Sequence, residues 1–190
     1  MTLYLASTSP RRRELLAQAD IEFSTLDVDI DETQRPNELP TAYVERLAKE
    51  KAEAGFQGVQ DEEGAVVLAA DTIVVLEDDV LGKPSDQQEA QKMLQALSGR
   101  SHVVMTAFAI KTDQQIRVQR VNTTVFFRPI NSKEIEWYWN SGEQQDKAGG
   151  YGIQGKGGVF VTAISGSYSA VVGLPLAEVV SALSQLNIHP

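Results

Sequence analysis

The spacing of apolar residues along the chain changes repeatedly between the periods of a strand and of a helix. Helical spacing predicts helices over residues 10–19, 41–54, 85–97, 131–139 and 175–186. Apolar runs and alternating stretches predict strands over residues 3–6, 21–30, 65–70, 73–76, 102–111, 115–127 and 159–164. Because helices and strands alternate irregularly around a β-rich middle, we expect an α/β or α+β fold with a mixed sheet.

Asp71 and Thr72 follow the most apolar stretch of the chain. Residues 65–70 contain no polar side chain, which is typical of a fully buried strand. We therefore expect Asp71 at the end of that strand, where α/β sheets commonly open into ligand crevices. A carboxylate in such a place is costly unless it is paired, solvated or bound to metal. Asp71 is a candidate general base or metal ligand, and a turn-capping role is the alternative.

The segment ASTSPRRREL, at residues 6–15, places three arginines in the first turn of a predicted helix that starts at Pro10. Cations normally occupy the opposite end of a helix, because the N-terminal end carries positive partial charge. Ser7, Ser9 and the backbone amides could bind phosphate oxygens, while Arg11 and Arg12 hold the remaining charge. A capped helix with solvated arginines is the alternative.

Two loops carry further candidates. Lys83 lies between Gly82 and Pro84, so its ammonium is rigidly presented and would suit a phosphate, although ordinary turn lysines are more common. Residues 146–158 are rich in glycine and would let the backbone approach a ligand closely. Within them, the Gln154 amide both donates and accepts, which matches the imide edge of uracil or thymine. A flexible surface loop is the alternative.

Acidic side chains at Asp29, Asp31 and Glu32 could join Asp71 in an oxygen-rich site for Mg²⁺ or Mn²⁺. A solvated acidic loop is the alternative. Lys51, near the end of the second predicted helix, is either a substrate-binding cation or a solvated helix lysine.

Composition narrows the classes of function. The formal charge of −9 argues against extended binding to nucleic acid or an anionic membrane surface. The absence of cysteine excludes thiolate zinc sites and cysteine nucleophiles, and two histidines give little support to a histidine metal site. No apolar run approaches the roughly 20 residues of a membrane span. We therefore expect a cytoplasmic protein that binds neither nucleic acid nor membrane.

Taken together, these segments resemble the Maf family of nucleotide pyrophosphatases, and the resemblance extends from Leu3 to Leu186. Each segment alone is weakly specific, but eight of them in the same order are highly specific. They are LASTSPRRREL, DET, RLAKEKA, AADTIV, LGKP, LSG, DKAGGYGIQGKGG and SYSAVVGLPL.

The resemblance implies an enzyme that hydrolyses nucleoside triphosphates to the monophosphate and pyrophosphate with Mg²⁺ or Mn²⁺. It implies one domain over residues 1–190, with an elongated, mixed α/β sheet flanked by helices and two lobes around an active-site cleft, as in ITPase-like proteins. It also implies a homodimer. The family's catalytic aspartate falls on Asp71. Its other characteristic positions, which we expect to bind the substrate and its phosphates, fall on Ser7, Arg12, Glu32, Lys51 and Lys83. We expect Asp71 and Glu32 to hold the metal.

Three positions separate the subgroups of this family, and here they are Arg11, Thr72 and Gln154. Arginine, threonine and glutamine resemble the subgroup that hydrolyses dTTP and UTP, whereas the subgroup for 7-methyl-GTP has tryptophan, glutamine and glutamate. We therefore expect a dTTP/UTP pyrophosphatase, a hydrolase acting on acid anhydrides, whose substrates include modified pyrimidine nucleotides as a further possibility. The alternatives are a non-catalytic nucleotide-binding regulator of cell division and septum formation, and a phosphatase that releases orthophosphate stepwise.

Overall fold

A seven-stranded mixed sheet forms the centre of the fold in the computed structural model, which describes residues 1–190. Its strands are β1 (Thr2–Ala6), β2 (Ser24–Leu26), β3 (Ala65–Leu76), β4 (Asp79–Leu81), β5 (Ser101–Lys111), β6 (Ile116–Phe127) and β7 (Val161–Ser165). The order across the sheet is β2-β1-β3-β5-β6-β7, and β4 pairs with β3. β1 runs parallel to β2 and β3, whereas β4 and β7 pair antiparallel with their neighbours. The predicted mixed α/β sheet is confirmed.

Six α-helices accompany the sheet. They are α1 (Pro10–Ala17), α2 (Pro40–Gln57), α3 (Gln87–Leu97), α4 (Ser132–Trp139), α5 (Tyr168–Val172) and α6 (Leu176–Ser184), with short 3₁₀ turns at Ala148–Gly150 and Lys156–Phe160. The sequence did not predict α5, because five residues are too few to show a helical period. Asn131 is the N-cap of α4 and forms a capping box with Glu134, so the helix begins one residue later than predicted. None of these helices is both long and apolar enough to span a membrane.

Strand β3 continues through Asp71, so the predicted break into two strands is wrong. Its first part, Ala65–Leu68, pairs with β1, and its last part, Val74–Leu76, pairs with β4. Asp71 and Thr72 lie between these two paired stretches, inside a strand of 12 residues. The polar pair therefore marks the change from pairing with β1 to pairing with β4, and it does not end the strand.

The predicted strand over residues 21–30 is also corrected, because only Ser24–Leu26 is a strand. β2 pairs only with Tyr4, Leu5 and Ala6 of β1. β1 ends at Ala6, so the residues after Leu26 have no partner there with which to extend the ladder.

The chain divides into two compact units. The first comprises residues 1–71, 106–121 and 173–190, and its core includes Leu5, Leu16, Leu47, Leu68 and Leu183. The second comprises residues 72–105 and 122–172, and its core includes Leu94, Leu97, Val125, Tyr138 and Phe160. The organisation as one domain with two lobes around a cleft stays a prediction.

Candidate active site

Asp71 is a buried carboxylate that pairs with a lysine from the neighbouring helix. Its position on β3 leaves the residue only 7% exposed. A carboxylate withdrawn from water needs a charged or hydrogen-bonding partner. Lys51, on α2, supplies it, because Nζ donates to Asp71 Oδ1 over 2.7 Å. The two side chains are only 12% and 10% exposed, so water screens this ion pair weakly.

The same ammonium also contacts Glu32. Lys51 Nζ lies 2.6 Å from Glu32 Oε1, and the Glu32 side chain is 49% exposed. One lysine thus holds two carboxylates, one buried in the sheet and one at the surface. Glu32 and Asp71 therefore both contact Lys51, which is the group that joins them.

Helix α2 also holds the loop that carries Glu32. The Tyr43 hydroxyl donates to the Glu32 carbonyl oxygen over 2.7 Å, and Arg46 Nη2 donates to the Thr33 carbonyl oxygen over 3.0 Å. Arg46 binds Glu38 with two parallel hydrogen bonds of 2.6 and 2.8 Å. Such a bidentate pair is directional, so it fixes the loop as well as stabilising it.

Sequence analysis missed these supports of the loop. The available signal was the pair Arg46 and Glu50, which has the i, i+4 spacing of a helical ion pair and is formed at 3.0 Å. Glu38 and Tyr43 gave no signal, because their contacts depend on how the loop folds back onto α2.

The other two acidic candidates do not join this cluster of contacts. Asp31 is exposed, and its Oδ1 accepts from the Thr33 amide over 2.9 Å, which is a local turn. This interaction with Thr33 lowers the pKa of Asp31. Asp29 is also exposed. For these two residues the structure favours the solvated-loop interpretation.

The turn between β1 and α1 is held by hydrogen bonds to the Ser7 side chain. Ser7 is buried, and its Oγ accepts from the Ser9 amide over 3.2 Å and from Arg12 Nη1 over 3.4 Å. Arg12 Nε donates to the Gly173 carbonyl oxygen over 2.8 Å. Ser9 precedes the helix but makes no side-chain capping bond. The turn is thus built around Ser7 and Arg12.

Arg12 also belongs electrostatically to the acidic cluster. Burial lowers the pKa of the Arg12 guanidinium and the neighbouring Arg11 adds to this effect, while the charges of Asp71 and Glu32 oppose it. A guanidinium remains protonated despite such a shift. Arg12 therefore contributes a fixed positive charge near both carboxylates.

In the second unit, the turn with Lys83 is bonded to the glycine-rich segment. The Gly149 amide donates to the Gly82 carbonyl oxygen over 3.0 Å. Gly149 has a φ of +68°, and a Cβ there would lie 3.0 Å from the Val74 side chain, so this close approach requires glycine. Lys83 and Gln154 are exposed, and Thr72 is half-buried. The structure thus links the two predicted loops.

Glu143 is a further residue that the sequence analysis missed. Its carboxylate accepts from the backbone amides of Lys156 and Gly157 over 2.7 and 3.2 Å, and from the Tyr138 hydroxyl over 2.9 Å. The glycine-rich segment is therefore tied to a partly buried acid, which the flexible-loop interpretation did not foresee.

The donor set at Asp71 fits a divalent cation that is shared with a phosphate ligand. No three His, Cys, Asp or Glu side chains group together to hold a metal by themselves. Mg²⁺ commonly takes one or two carboxylates and completes its shell with substrate phosphates and water. Asp71 and Glu32 supply these two carboxylates, and both contact the same group, the Lys51 ammonium.

A family model described as Maf-like protein matches residues 2–186. The chain belongs to the Maf family. Among the relatives of this Maf chain is the dTTP/UTP pyrophosphatase of Pseudoalteromonas translucida, which is 55% identical over 93% of this chain and 92% of its own. The dTTP/UTP pyrophosphatase of Pseudoalteromonas atlantica is 52% identical, over 98% of this chain and 97% of its own. That of Shewanella oneidensis is 51% identical, over 99% of this chain and 100% of its own.

A nucleoside-triphosphatase and dITP/XTP pyrophosphatase of known structure from Mycobacterium abscessus has a TM-score of 0.41 to this Maf protein. It is 17% identical and covers 67% of this chain and 73% of its own, a likeness too weak to bear on fold or activity.

In this Maf chain, the first unit brings together Ser7, Arg12, Glu32, Lys51 and Asp71, and Arg11 lies beside them on α1. Lys83, Thr72 and Gln154 belong to the second unit.

Proposed function

We propose that this protein hydrolyses dTTP and UTP to the nucleoside monophosphate and pyrophosphate. The observation that carries the proposal is the group of Asp71, Lys51, Glu32 and Arg12 in one compact unit of a Maf chain. Two carboxylates beside two cations can handle a proton and bind a polyanion at the same place. The names of relatives at about half identity favour pyrimidine triphosphates as the substrates.

In the proposed reaction, the Asp71 carboxylate accepts a proton from the water that attacks the α-phosphorus, and pyrophosphate leaves. Lys51 holds this carboxylate in place through its hydrogen bond of 2.7 Å. A divalent cation held by Asp71, Glu32 and the phosphates would supply neutralisation of phosphate charge. Arg12, Lys51 and Lys83 stabilise the charge that develops on the phosphate oxygens.

Ser7 and the first amides of α1 are proposed to bind phosphate oxygens. A short helix N-terminus that follows a strand is a common anion site, and here it lies beside the Arg12 guanidinium. The contact of Ser7 Oγ with Arg12 would orient both groups toward the same ligand.

Substrate choice is assigned to Gln154, Thr72 and Arg11. The Gln154 amide can donate to a base carbonyl and accept from the ring N–H, which is the pattern of thymine and uracil. Its exposure leaves it open to a ligand. Modified pyrimidine nucleotides that keep this edge would bind in the same way.

We also propose that the protein acts in the cytoplasm as a homodimer, without nucleic acid or membrane partners. Its strongly acidic composition supports the exclusion of these two partners. Light scattering after size exclusion measures the dimer, and a monomeric mass for the active enzyme would contradict that part of the proposal.

The decisive experiment is a panel of nucleoside triphosphates, each incubated with Mg²⁺ or Mn²⁺ and followed by identification of the products. We expect pyrophosphate and monophosphate from dTTP and UTP, at higher kcat/KM than from the other nucleotides. Orthophosphate released stepwise would instead identify a phosphatase. Tight nucleotide binding without turnover would identify a non-catalytic regulator.

A further inference from the structure

We propose that Glu143 is a positioning residue for base recognition: with Tyr138, it clamps the backbone on both sides of Gln154. The inference rests on the proposed function, in which Gln154 reads the pyrimidine. It assigns a role to a partly buried acid that lies outside every motif used to predict the site.

The clamp contacts the chain two residues before Gln154 and two and three residues after it. After it, the Glu143 carboxylate accepts from the Lys156 amide over 2.7 Å and from the Gly157 amide over 3.2 Å. Before it, the Tyr138 hydroxyl accepts from the Gly152 amide over 3.0 Å. Gln154 is thus at the exposed tip of a short turn whose two ends are held.

The two halves of the clamp are joined to each other. The Tyr138 hydroxyl donates its proton to Glu143 Oε1 over 2.9 Å while it accepts from Gly152. Tyr138 lies on α4 and is fully buried, so its ring is held by the packing of the core around it. The clamp is therefore anchored to the folded core.

The clamp explains two glycines of the segment, Gly155 and Gly157. A Cβ at Gly155 would overlap the Glu143 carboxylate, and a Cβ at Gly157 would lie 2.8 Å from the Gly152 carbonyl oxygen. Only glycine lets the backbone fold so closely around the acid. Gly155 and Gly157 are therefore explained by the packing of the loop on Glu143, Tyr138 and Gly152, and they need no contact with a ligand.

The protonation states of Glu143 and Tyr138 suit their role as a clamp. Burial opposes ionisation of Glu143, but the backbone amides of Lys156 and Gly157, the Tyr138 hydroxyl and the nearby Lys147 outweigh it and hold the Glu143 pKa below its usual range. Burial raises the pKa of Tyr138, so its hydroxyl stays protonated and can donate. Glu143 is thus an ionised acceptor at neutral pH.

We expect the clamp to affect the recognition of the base more than the binding of the phosphates. A loop held before substrate arrives loses little conformational freedom when Gln154 binds the base. Releasing the clamp should therefore weaken the discrimination between bases. It should affect the binding of the triphosphate less, because other residues bind the phosphates.

The test compares Glu143→Gln with the control Glu134→Gln, and measures kcat and KM for dTTP, UTP, dCTP and dATP. Glu134 lies on the same helix as Tyr138 and forms a capping box and an ion pair with Arg128, so it controls for a general loss of stability. For Glu143→Gln we expect roughly a tenfold to hundredfold loss of kcat/KM on dTTP and UTP, about the size of one lost hydrogen bond to a charged group. The loss should fall mainly on KM. The control should keep the wild-type preference.

A second variant, Tyr138→Phe, keeps the measurement available if Glu143→Gln does not fold. In either variant, hydrogen exchange at the Lys156 and Gly157 amides should become faster than in wild type. Unchanged exchange with unchanged preference would overturn the inference.

A double-mutant cycle with Gln154→Ala separates this inference from the proposed function. If Glu143 acts through Gln154, the double variant should lose no more pyrimidine preference than Gln154→Ala alone. If Gln154→Ala removes the preference but Glu143→Gln does not, or if Glu143→Gln slows all nucleotides equally, the clamp has no role in recognition and the proposed function stands. If Gln154→Ala itself leaves the preference intact, the assigned base reader is wrong and the inference falls with it.

Discussion

Replacing Lys51 with methionine should destabilise the protein far more than replacing Lys49, its neighbour on the same helix. Methionine keeps the unbranched apolar part of the side chain but removes the ammonium that holds Asp71 and Glu32 at 2.7 and 2.6 Å. Lys49 contacts only Glu53, at 3.8 Å, and both of those side chains are about half exposed. Lys49→Met therefore serves as the matched control.

The size of the effect follows from the exposure of each partner. The bond to Asp71 is nearly buried, so its loss should cost about 1.5–3 kcal/mol, as for hydrogen bonds to charged groups. The bond to the half-exposed Glu32 adds about 0–1 kcal/mol, the usual value for surface pairs. A total of about 1.5–4 kcal/mol corresponds to a fall in Tm of about 3–16 °C for a chain of this length. Lys49→Met should change Tm by no more than about 2 °C.

Thermal unfolding measures the two variants side by side, and a third variant tests the cause. Adding Asp71→Asn to Lys51→Met removes the buried charge left without its partner, so the double variant should be more stable than Lys51→Met alone. The reasoning is refuted if Lys51→Met unfolds at the same temperature as Lys49→Met, or if the second substitution destabilises it further.

Three further predictions concern catalysis, specificity and acid stability. Asp71→Asn should lower kcat by roughly 10²–10⁴ with nucleotide binding largely kept, because the amide cannot take a proton, whereas Asp29→Asn should have little effect. Gln154→Glu should weaken dTTP and UTP selectively, since a carboxylate cannot donate to a base carbonyl. Hydrogen bonds from Arg46 hold the pKa of Glu38 at about 2, below its usual 4.5, so the stability they supply is complete above pH 4.5 and lost as pH falls toward 2. Glu38→Gln should therefore lower the free energy of unfolding at pH 7, by an amount that shrinks below pH 4.5.

A specific result would contradict each of these three predictions. Near-normal turnover by folded Asp71→Asn would remove its role as base, and equal losses on all nucleotides for Gln154→Glu would make that residue structural. Denaturant unfolding across pH checks the third, which fails if the difference between wild type and Glu38→Gln is the same at pH 3 and pH 7.

Local patterns in the sequence were sufficient for most helices and long strands. The period of apolar residues depends on neighbours within a few positions, so α2, β5 and β6 were predicted to within about three residues at their ends. The interruption of an apolar run by Asp71 and Thr72 was misread, because a polar residue inside a strand and one at its end have the same local pattern. Only the pairing of β3 first with β1 and then with β4 distinguishes them.

By itself, the sequence determined the family, the mixed α/β class and the set of candidate residues, since order and spacing of short segments are properties of the chain. Tertiary structure decided which of them touch. Lys51 meets Asp71 across 20 positions of sequence, and Lys51 also meets Glu32, so one ammonium serves two acids. Glu143 reaches Lys156 across 13 positions and fixes a turn that composition alone presented as a flexible loop. Contacts of this kind depend on how loops and helices pack in three dimensions, and no periodicity within the sequence encodes them.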